Sequence, residues 1–581
     1  MDKKKVAAIL DEMGTLLDLQ GANPFKSRAF HTASRALEGV TQDLRSLAES
    51  GGLLEVQGIG KSIAQIISDL VTTGRSGDYD ELREQFPPGV LEMLRIQGLG
   101  PKKVKILFEK MKITSLAALE EAARAGRLES LEGFGKKTEE NILAGIEALR
   151  SRSDRVLYPQ AYEPASALLE YLRGLKGVIR CELAGSLRRH KETIGDIDLL
   201  VSAKDSDRVQ LMKAFTSWKG VESVVAHGET KSTVLLGGGI SCDLRIVSDR
   251  EFPFALNYFT GSKEHNVTMR TRAKHFGWSL NEYGFSHLGD EEKRGKAKQA
   301  VHCKTESDIY RALDLAYIPP ELRENAGEFE AAEKGKLPVL VEEKDIRGTF
   351  HCHTTASDGV NTLRQMVDAA RALGWEYLGI ADHSKVAAYA GGLSEAKLKA
   401  QFREIDALNK SLKGFTVFKG TECDILPDGS LDWPEKVLAA CDYVVVSIHS
   451  SFRMNEADMT RRIIKALKNK HVTMLGHPTG RLLLSRDPYP VDMVQVIDAA
   501  AGEGKMIEIN AHPMRFDLDW RLCRYARDKG VLVPINPDAH NVDGLRDVLY
   551  GVGIARKGWL EKKNIPNTRT AKEVYKLFSR S

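Results

Sequence analysis

The chain has 581 residues, too many for one hydrophobic core, so three or more packed units are expected. Hydrophobic residues make up 42% and charged residues 28%, an ordinary soluble composition, and Lys plus Arg (84) barely exceed Asp plus Glu (80), so with a net charge of +4 any basic footprint for nucleic acid must be local. The seven cysteines are scattered with no Cys-x-x-Cys pair, so neither a disulfide framework nor a thiolate zinc site is indicated; no run of about 18 apolar residues offers a membrane span, and the Met1-Asp2-Lys3-Lys4-Lys5 opening lacks the apolar core of a secretion signal, so a reducing cytoplasm is expected.

Over the first 150 residues apolar positions recur at three- and four-residue spacing without alternation, which predicts helices throughout. Three times an apolar residue precedes a Gly-h-Gly turn, with h apolar, and then a helix start. These are Val56-Gln57-Gly58-Ile59-Gly60-Lys61, Ile96-Gln97-Gly98-Leu99-Gly100-Pro101 and Leu131-Glu132-Gly133-Phe134-Gly135-Lys136. The glycines let the backbone turn sharply and expose its amides, and the helix N-terminus adds its positive dipole end. A phosphate can be held there without its base being read. Gly58, Gly60, Lys61, Gly98, Gly100, Gly133, Gly135 and Lys136 are the candidate DNA contacts, in a first unit over 1–85 and a fingers-like region over 86–154. A lone Gly-h-Gly commonly just ends a helix; three in helical context resemble the helix-hairpin-helix motif of DNA repair proteins.

Beyond residue 155 the texture becomes α/β. Cys181 to Arg189 leads into Gly195-Asp196-Ile197-Asp198-Leu199-Leu200-Val201, which reads as a strand with Asp196 and Asp198 on one face. Two more strands, Ser232 to Leu236 and Ile240 to Val247, are joined by three glycines, and the second carries Asp243. Three carboxylates on neighbouring strands are costly to assemble unless cations neutralise them. Two Mg2+ or Mn2+ ions held this way suit activation of a primer 3′-hydroxyl and support of a leaving pyrophosphate. The preceding Gly-Ser-x-x-Arg (Gly185, Ser186, Arg189) supplies a turn glycine, a hydroxyl and a guanidinium for nucleotide phosphates.

These residues resemble the DNA polymerase beta family. Its G-S-x-R-R…G-D-x-D motif matches Gly185, Ser186, Arg188, Arg189, Gly195, Asp196 and Asp198, and its third aspartate falls on Asp243 with Arg245 following. Tyr258-Phe259-Thr260-Gly261-Ser262 matches the family's sugar-contact loop, Asn266 and Arg270 fall where it contacts the nascent pair, and Asn281-Glu282-Tyr283 matches a segment near the module's end. The resemblance implies an α/β nucleotidyltransferase palm over 155–249 and a thumb-like subdomain over 250–317. It also implies a dNTP held by Gly185, Ser186, Arg189, Gly195, Tyr258, Phe259, Gly261, Asn266 and Arg270. There are departures: Ile66 stands where family members with 5′-deoxyribose-phosphate lyase activity carry a Schiff-base lysine, so that activity is expected to be weak or absent. Lys263 also replaces an acidic residue.

Residues 318–345 read as a linker with one helix, and eight of the fifteen histidines follow it. Buried strands repeatedly end in residues able to bind metal: His351 and His353 with Asp358 in the next loop, His383, Glu422, His449, His477, and then Asp538 and His540. Barrels of alternating strand and helix place their chemistry at that strand end. Cys352 should point away, His471 reads as surface, and His512 could line the site. The segment 346–581 resembles the PHP domain, a distorted (β/α)7 barrel. All nine family ligand positions are filled. The resemblance groups His351, His353, Glu422 and Asp538 at one metal, a bridging Glu422 with His449 and His477 at a second, and Asp358, His383 and His540 at a third. Mixed nitrogen and oxygen ligands suit Mn2+, Zn2+ or Fe2+.

The whole chain is therefore expected to be multidomain: an all-α helix-hairpin-helix part, an α/β palm and thumb, and a C-terminal PHP barrel. The implied function is a bacterial, DNA-associated, monomeric repair polymerase that fills short gaps in DNA duplexes from dNTPs. Its PHP site would trim 3′ ends as a 3′→5′ exonuclease and act on 3′-phosphates and abasic sites. An alternative makes the front half an inactive DNA-binding adaptor for a PHP nuclease, against which the intact aspartate trio counts. A template-independent transferase is disfavoured by Asn266 and Arg270, and a small-molecule phosphatase by the three hairpins.

Overall fold

Helices occupy the described part of residues 3–153, as the spacing predicts, in the computed structural model, which describes residues 3–21, 23–38, 44–56, 58–94, 96, 99–131, 133–153, 155–288 and 301–579. In the helix Lys61–Thr73 the buried residues are Ile63, Ala64, Ile66, Ile67, Leu70 and Val71, a single apolar stripe. Each of its larger side chains contributes roughly 1.5–3 kcal/mol by burial. The chain divides into two compact units, Met1–Asp154 with Ala388–Gly391, and Arg155–Ala387 with Gly392–Ser581.

The second unit opens with the short strand Val156–Leu157 and the helix Tyr158–Arg173, followed by a five-stranded sheet in the order Val178–Leu183, Asp196–Ala203, Ile240–Val247, Lys231–Leu236, Val221–Ala226. Only the pairing of Asp196–Ala203 with Ile240–Val247 is parallel, and its register sets Asp198 opposite Asp243. Burial alternates along Ile240–Val247: Ile240, Cys242, Leu244 and Ile246 are buried, while Asp243 and Arg245 share the other face. Helices Phe252–Thr260 and Lys263–His275 follow, then a hairpin of Trp278–Asn281 with Gly284–His287, whose turn is closed by Asn281 Oδ1 accepting from Tyr283 and Gly284 N–H.

The segment 318–345 carries the expected helix, Glu328–Glu333, and is packed. Arg323 is fully buried and donates to Glu306 Oε1 at 2.6 Å, while Arg188 Nη2 donates to Glu306 Oε2 at 2.6 Å. Burial opposes ionisation of Glu306, yet the two guanidiniums hold its carboxyl at about 2. A depressed carboxylate stabilises the fold fully above its ordinary value of 4.5 and loses that contribution as pH falls toward 2. Glu306→Gln, which leaves buried guanidinium charge uncompensated, should cost about 3–5 kcal/mol at pH 7. Denaturant midpoints should differ most above pH 4.5 and converge in acid; an equal gap at every pH would refute the assignment.

After residue 345 the strands are parallel and short, with helices between them. The segments are Gly348–Thr349, Tyr377–Ile380, Thr416–Lys419 running on to Glu422–Asp424, Val445–Ser447, Met474–Leu475, Met506–Ile507 running on to Ile509–Asn510, and Ile535–Asn536. A parallel bridge of Cys352 with Ala539 joins the first of these seven positions to the last and closes the barrel. The strands are buried on both faces, as parallel strands covered by helices must be.

Candidate active sites

At the hairpins, Gly58 (φ 98°) and Gly133 (φ 84°) take left-handed conformations open to glycine, while the apolar residues Ile59, Leu99 and Phe134 anchor each turn in the helical core. Gly60, Gly100 and Gly135 then precede the helices Lys61–Thr73, Pro101–Met111 and Lys136–Ser153; a Cβ at any of them would meet nothing within 4 Å. The leading amides of each helix lack i−4 acceptors, although Pro101 offers no N–H, and Lys103 and Thr138 already donate to the Gly100 and Gly135 carbonyls. Lys61 and Lys136 are exposed at the starts of two of these helices. Gly98 lies outside the described residues. Ile66 is buried in this core.

In the palm, Asp198 and Asp243 stand side by side across the parallel pair, with Asp196 two residues earlier on the same face as Asp198. Asp243 accepts from Thr233 Oγ1 at 2.5 Å and pairs with Lys231 Nζ at 2.6 Å. Burial, then the charges of Asp196 and Asp243, push the Asp198 carboxyl up to about 7. Lys231 and Arg245 offset only part of this negative charge, and such a trio fits divalent cations. Gly185 has φ 63°, and a Cβ there would lie 2.1 Å from Asp198 Oδ2, so glycine alone lets the Gly185–Arg188 helical turn abut this carboxylate.

Arg189 caps that turn. Its Nε donates to Glu324 Oε1 at 3.1 Å and its Nη1 to the Thr260 carbonyl, and a Cβ on Gly261 would sit 3.1 Å from Nη1. The motif turn and the Tyr258–Ser262 loop are thereby brought together. Arg188, matched in the same motif, is consumed by Glu306 and Thr260. Arg245 lies 4.3 Å over the Phe259 ring, and Asn266 Nδ2 donates to the Tyr258 carbonyl at 2.7 Å. Arg270 is exposed one helical turn beyond Asn266. Ser186 is half-buried, and Gly195 precedes the strand that carries Asp196.

At the barrel's strand ends all nine candidate ligands converge. Asp538 Oδ1 lies 3.1 Å from His353 Nε2 and 3.6 Å from His351 Nε2, while Glu422 Oε2 lies 3.4 and 3.7 Å from His351 and His353. Glu422 Oε1 lies 2.9 Å from His477 and 3.3 Å from His449. Asp358 Oδ2 lies 3.2 Å from His540 and 3.6 Å from His383, and His383 Nδ1 also reaches Glu422 at 2.9 Å. Ligand atoms about 2.1 Å from one tetrahedral ion lie about 3.4 Å apart, which these spacings match. His351 Nε2 and Glu422 Oε2 are buried without a hydrogen bond, as atoms meant for a cation would be. Asp538 (φ 53°) holds a left-handed backbone, strain placed at the site.

Two residues with no role assigned from the sequence complete this site. Glu508 accepts from His351 Nδ1 at 2.9 Å and from the His477 amide at 2.6 Å, and Asp424 pairs with His449 Nδ1 at 3.1 Å. Both fix imidazole orientation. Burial alone would lower His351, but Glu508, Glu422 and Asp538 raise it well above its ordinary value. The three imidazoles of His383, His351 and His449 overcome burial to hold Glu422 well below the carboxylate range. His512 is half-buried, with its amide on Asn510 Oδ1, and joins none of the ligand groups found among the described residues. Cys352 is buried in the barrel core, and His471 sits 3.5 Å from an exposed Glu435.

The chain matches family models for a helix-hairpin-helix domain over residues 1–76 and a SAM-like helix-hairpin-helix tandem over 90–148. It also matches models for a DNA polymerase beta thumb over 255–324 and a PHP domain over 349–512. It is 38% identical over 583 residues to "DNA polymerase/3'-5' exonuclease PolX" of Bacillus subtilis (strain 168), covering 100% of both chains. "DNA polymerase lambda" of Rattus norvegicus is 24% identical over 335 residues, 54% of this chain and 55% of the rat protein. A "Probable phosphatase" of Caldicellulosiruptor saccharolyticus is 31% identical over 199 residues, 33% of this chain and 78% of that protein. Among the described residues no helix is long and apolar enough to cross a membrane. With a full-length relative at this identity and every module in the same chain, the protein belongs to the family X DNA polymerases that carry helix-hairpin-helix and PHP domains.

Proposed function

We propose that the chain fills short gaps in damaged duplex DNA from dNTPs and trims 3′ ends at its PHP site. The observation that carries the reading is the register of Asp198 on Asp243, with Asp196 beside them and the Gly185 turn against Asp198. Asp196, Asp198 and Asp243 would hold two Mg2+ or Mn2+ ions, which supply Lewis-acid activation of a primer hydroxyl and charge neutralisation at pyrophosphate. Gly185, Ser186 and Arg189 grip the triphosphate, with Gly195 shaping the entry to the strand. Tyr258, Phe259 and Gly261 lie along the sugar, and Asn266 and Arg270 meet the nascent pair. Asp243, held by Thr233, helps take the primer proton.

In the PHP barrel His351, His353, Asp358, His383, Glu422, His449, His477, Asp538 and His540 would hold up to three Mn2+, Zn2+ or Fe2+ ions, which make hydroxide available and polarise a phosphodiester. Glu508 and Asp424 keep the imidazoles aimed at that cluster. The three hairpin turns grip phosphates without reading sequence. Burial of Ile66 leaves no amine at that point of the first hairpin unit, so no 5′-deoxyribose-phosphate lyase step is assigned to it.

The test is a time course on one labelled primer in a one-nucleotide gap with a 5′-phosphate and Mn2+, with and without the complementary nucleotide. Extension by one with nucleotide, and shortening from the 3′ end without it, are expected. Shortening alone, indifferent to nucleotide, would leave a DNA-binding nuclease. Equal extension of single strands and gapped duplexes would favour a template-independent transferase.

A further inference from the structure

The turn that carries Arg189 is gripped from the PHP side. Lys557, at the end of the helix Val548–Lys557, is fully buried, and its Nζ donates to the Arg189 carbonyl at 3.0 Å and to Glu324 Oε1 at 2.5 Å. The same Glu324 oxygen accepts from Arg189 Nε. One carboxylate therefore ties the Arg189 side chain to an ammonium of the barrel, while that ammonium also holds the Arg189 backbone. The next residue, His190, is wedged against the same helix: a Cβ at Gly553 would lie 2.1 Å from His190 Nδ1. His190 stacks on Tyr158 at 5.0 Å, and its backbone is left-handed (φ 52°), a conformation that packing must enforce. Lys191 closes the frame through Glu324 Oε2 at 3.3 Å.

With Nε on Glu324 and Nη1 on the Thr260 carbonyl, Arg189 keeps Nη2 uncommitted among the described residues, a guanidinium edge presented in one fixed orientation. We infer that Lys557, a residue of the PHP barrel, is a positioning residue of the polymerase site that acts through Glu324 to fix Arg189 for the nucleotide triphosphate. The buried ammonium is shared by the Arg189 carbonyl, the Glu321 carbonyl at 3.4 Å and the Glu324 carboxylate, so it ties Glu324 and the Arg189 backbone to one place. The barrel then serves polymerisation through a contact outside its own metal ligands. The inference rests on the reading of Arg189 as a triphosphate residue.

Single-nucleotide gap filling by the full chain tests it, with wild type, Arg189→Gln, Lys557→Met, Glu324→Gln and the Arg189→Gln/Lys557→Met double variant. Lys557→Met should raise the nucleotide KM about tenfold while kcat changes little, the size expected for losing hydrogen bonds to a charged group. Trimming without nucleotide should stay at the wild-type rate, and the double variant should be no worse than Arg189→Gln alone. If Arg189→Gln raises KM but Lys557→Met and Glu324→Gln do not, the inference falls and the reading of Arg189 stands. An unchanged KM in Arg189→Gln overturns both. Parallel loss of extension and trimming would reduce Lys557 to a structural prop and overturn the positioning role. Should circular dichroism show Lys557→Met unfolded, Glu324→Gln, which preserves volume, decides by the same criteria.

Discussion

Asp198→Asn is expected to cut nucleotide incorporation by at least ~1,000-fold and leave 3′ trimming at its wild-type rate. Metal-assisted charge stabilisation is worth several kcal/mol in the transition state, and each 1.36 kcal/mol is a factor of ten. Asp198 faces Asp243 in register and abuts Gly185, so it joins both halves of the proposed site. Asparagine keeps the shape and removes the charge. The same substitution should not destabilise the fold. Asp198 is raised by burial and by Asp196 and Asp243 from its ordinary 3.8 to about 7, so its ionisation costs folding energy as pH rises through that range. Without divalent ions, Asp198→Asn should match wild type in melting temperature below pH 3.8 and exceed it above pH 7. Incorporation at the wild-type rate would remove Asp198 from the site. A lower melting temperature at neutral pH would show that the carboxylate is held by something other than its acidic neighbours.

What could be read in the sequence was local. Asp196 and Asp198 share a face because strands have a period of two, and the Gly-h-Gly turns are complete within six residues, so backbone geometry sufficed for both. The barrel's candidate ligands were legible because they follow successive apolar strands, three of them after the first and two after the last. Contacts that depend on distant pairing were not. Arg189 meets Glu324 across 135 positions and Lys557 meets the Arg189 carbonyl across 368, and no periodicity encodes either. The expected linker hid the same network, since Glu321, Arg323 and Glu324 look like solvent-exposed charge until their partners are known. Glu508 and Asp424 lay between these cases. An acid between Ile507 and Ile509 in a buried strand needs a partner, and Asp424 shares the face of Glu422 by the same period of two.

Glu422→Gln should abolish trimming, with a loss of at least ~1,000-fold by the same reckoning, and leave single-nucleotide extension intact. Among the described residues Glu422 is the one carboxylate that touches both ends of the array of candidate ligands: Oε1 faces His477 and His449, and Oε2 faces His383 and His351. An amide at that point replaces one oxygen by an NH2 group, which donates where a cation needs an electron pair, and it removes the charge that three imidazoles hold ionised. The expected signature extends beyond activity. The purified full chain should carry at least one fewer ion than wild type by elemental analysis. Asp538→Asn should affect trimming and metal content in the same sense, because its Oδ1 shares His351 and His353 with Glu422 Oε2. Wild-type metal content with lost trimming would recast Glu422 as a group acting on substrate, and wild-type trimming would move the hydrolytic centre away from these strand ends. Intact extension in either variant is informative for a second reason: the contact of Lys557 with Arg189 and Glu324 uses none of the nine candidate ligands, so losing ions proposed for that cluster need not disturb the polymerase half.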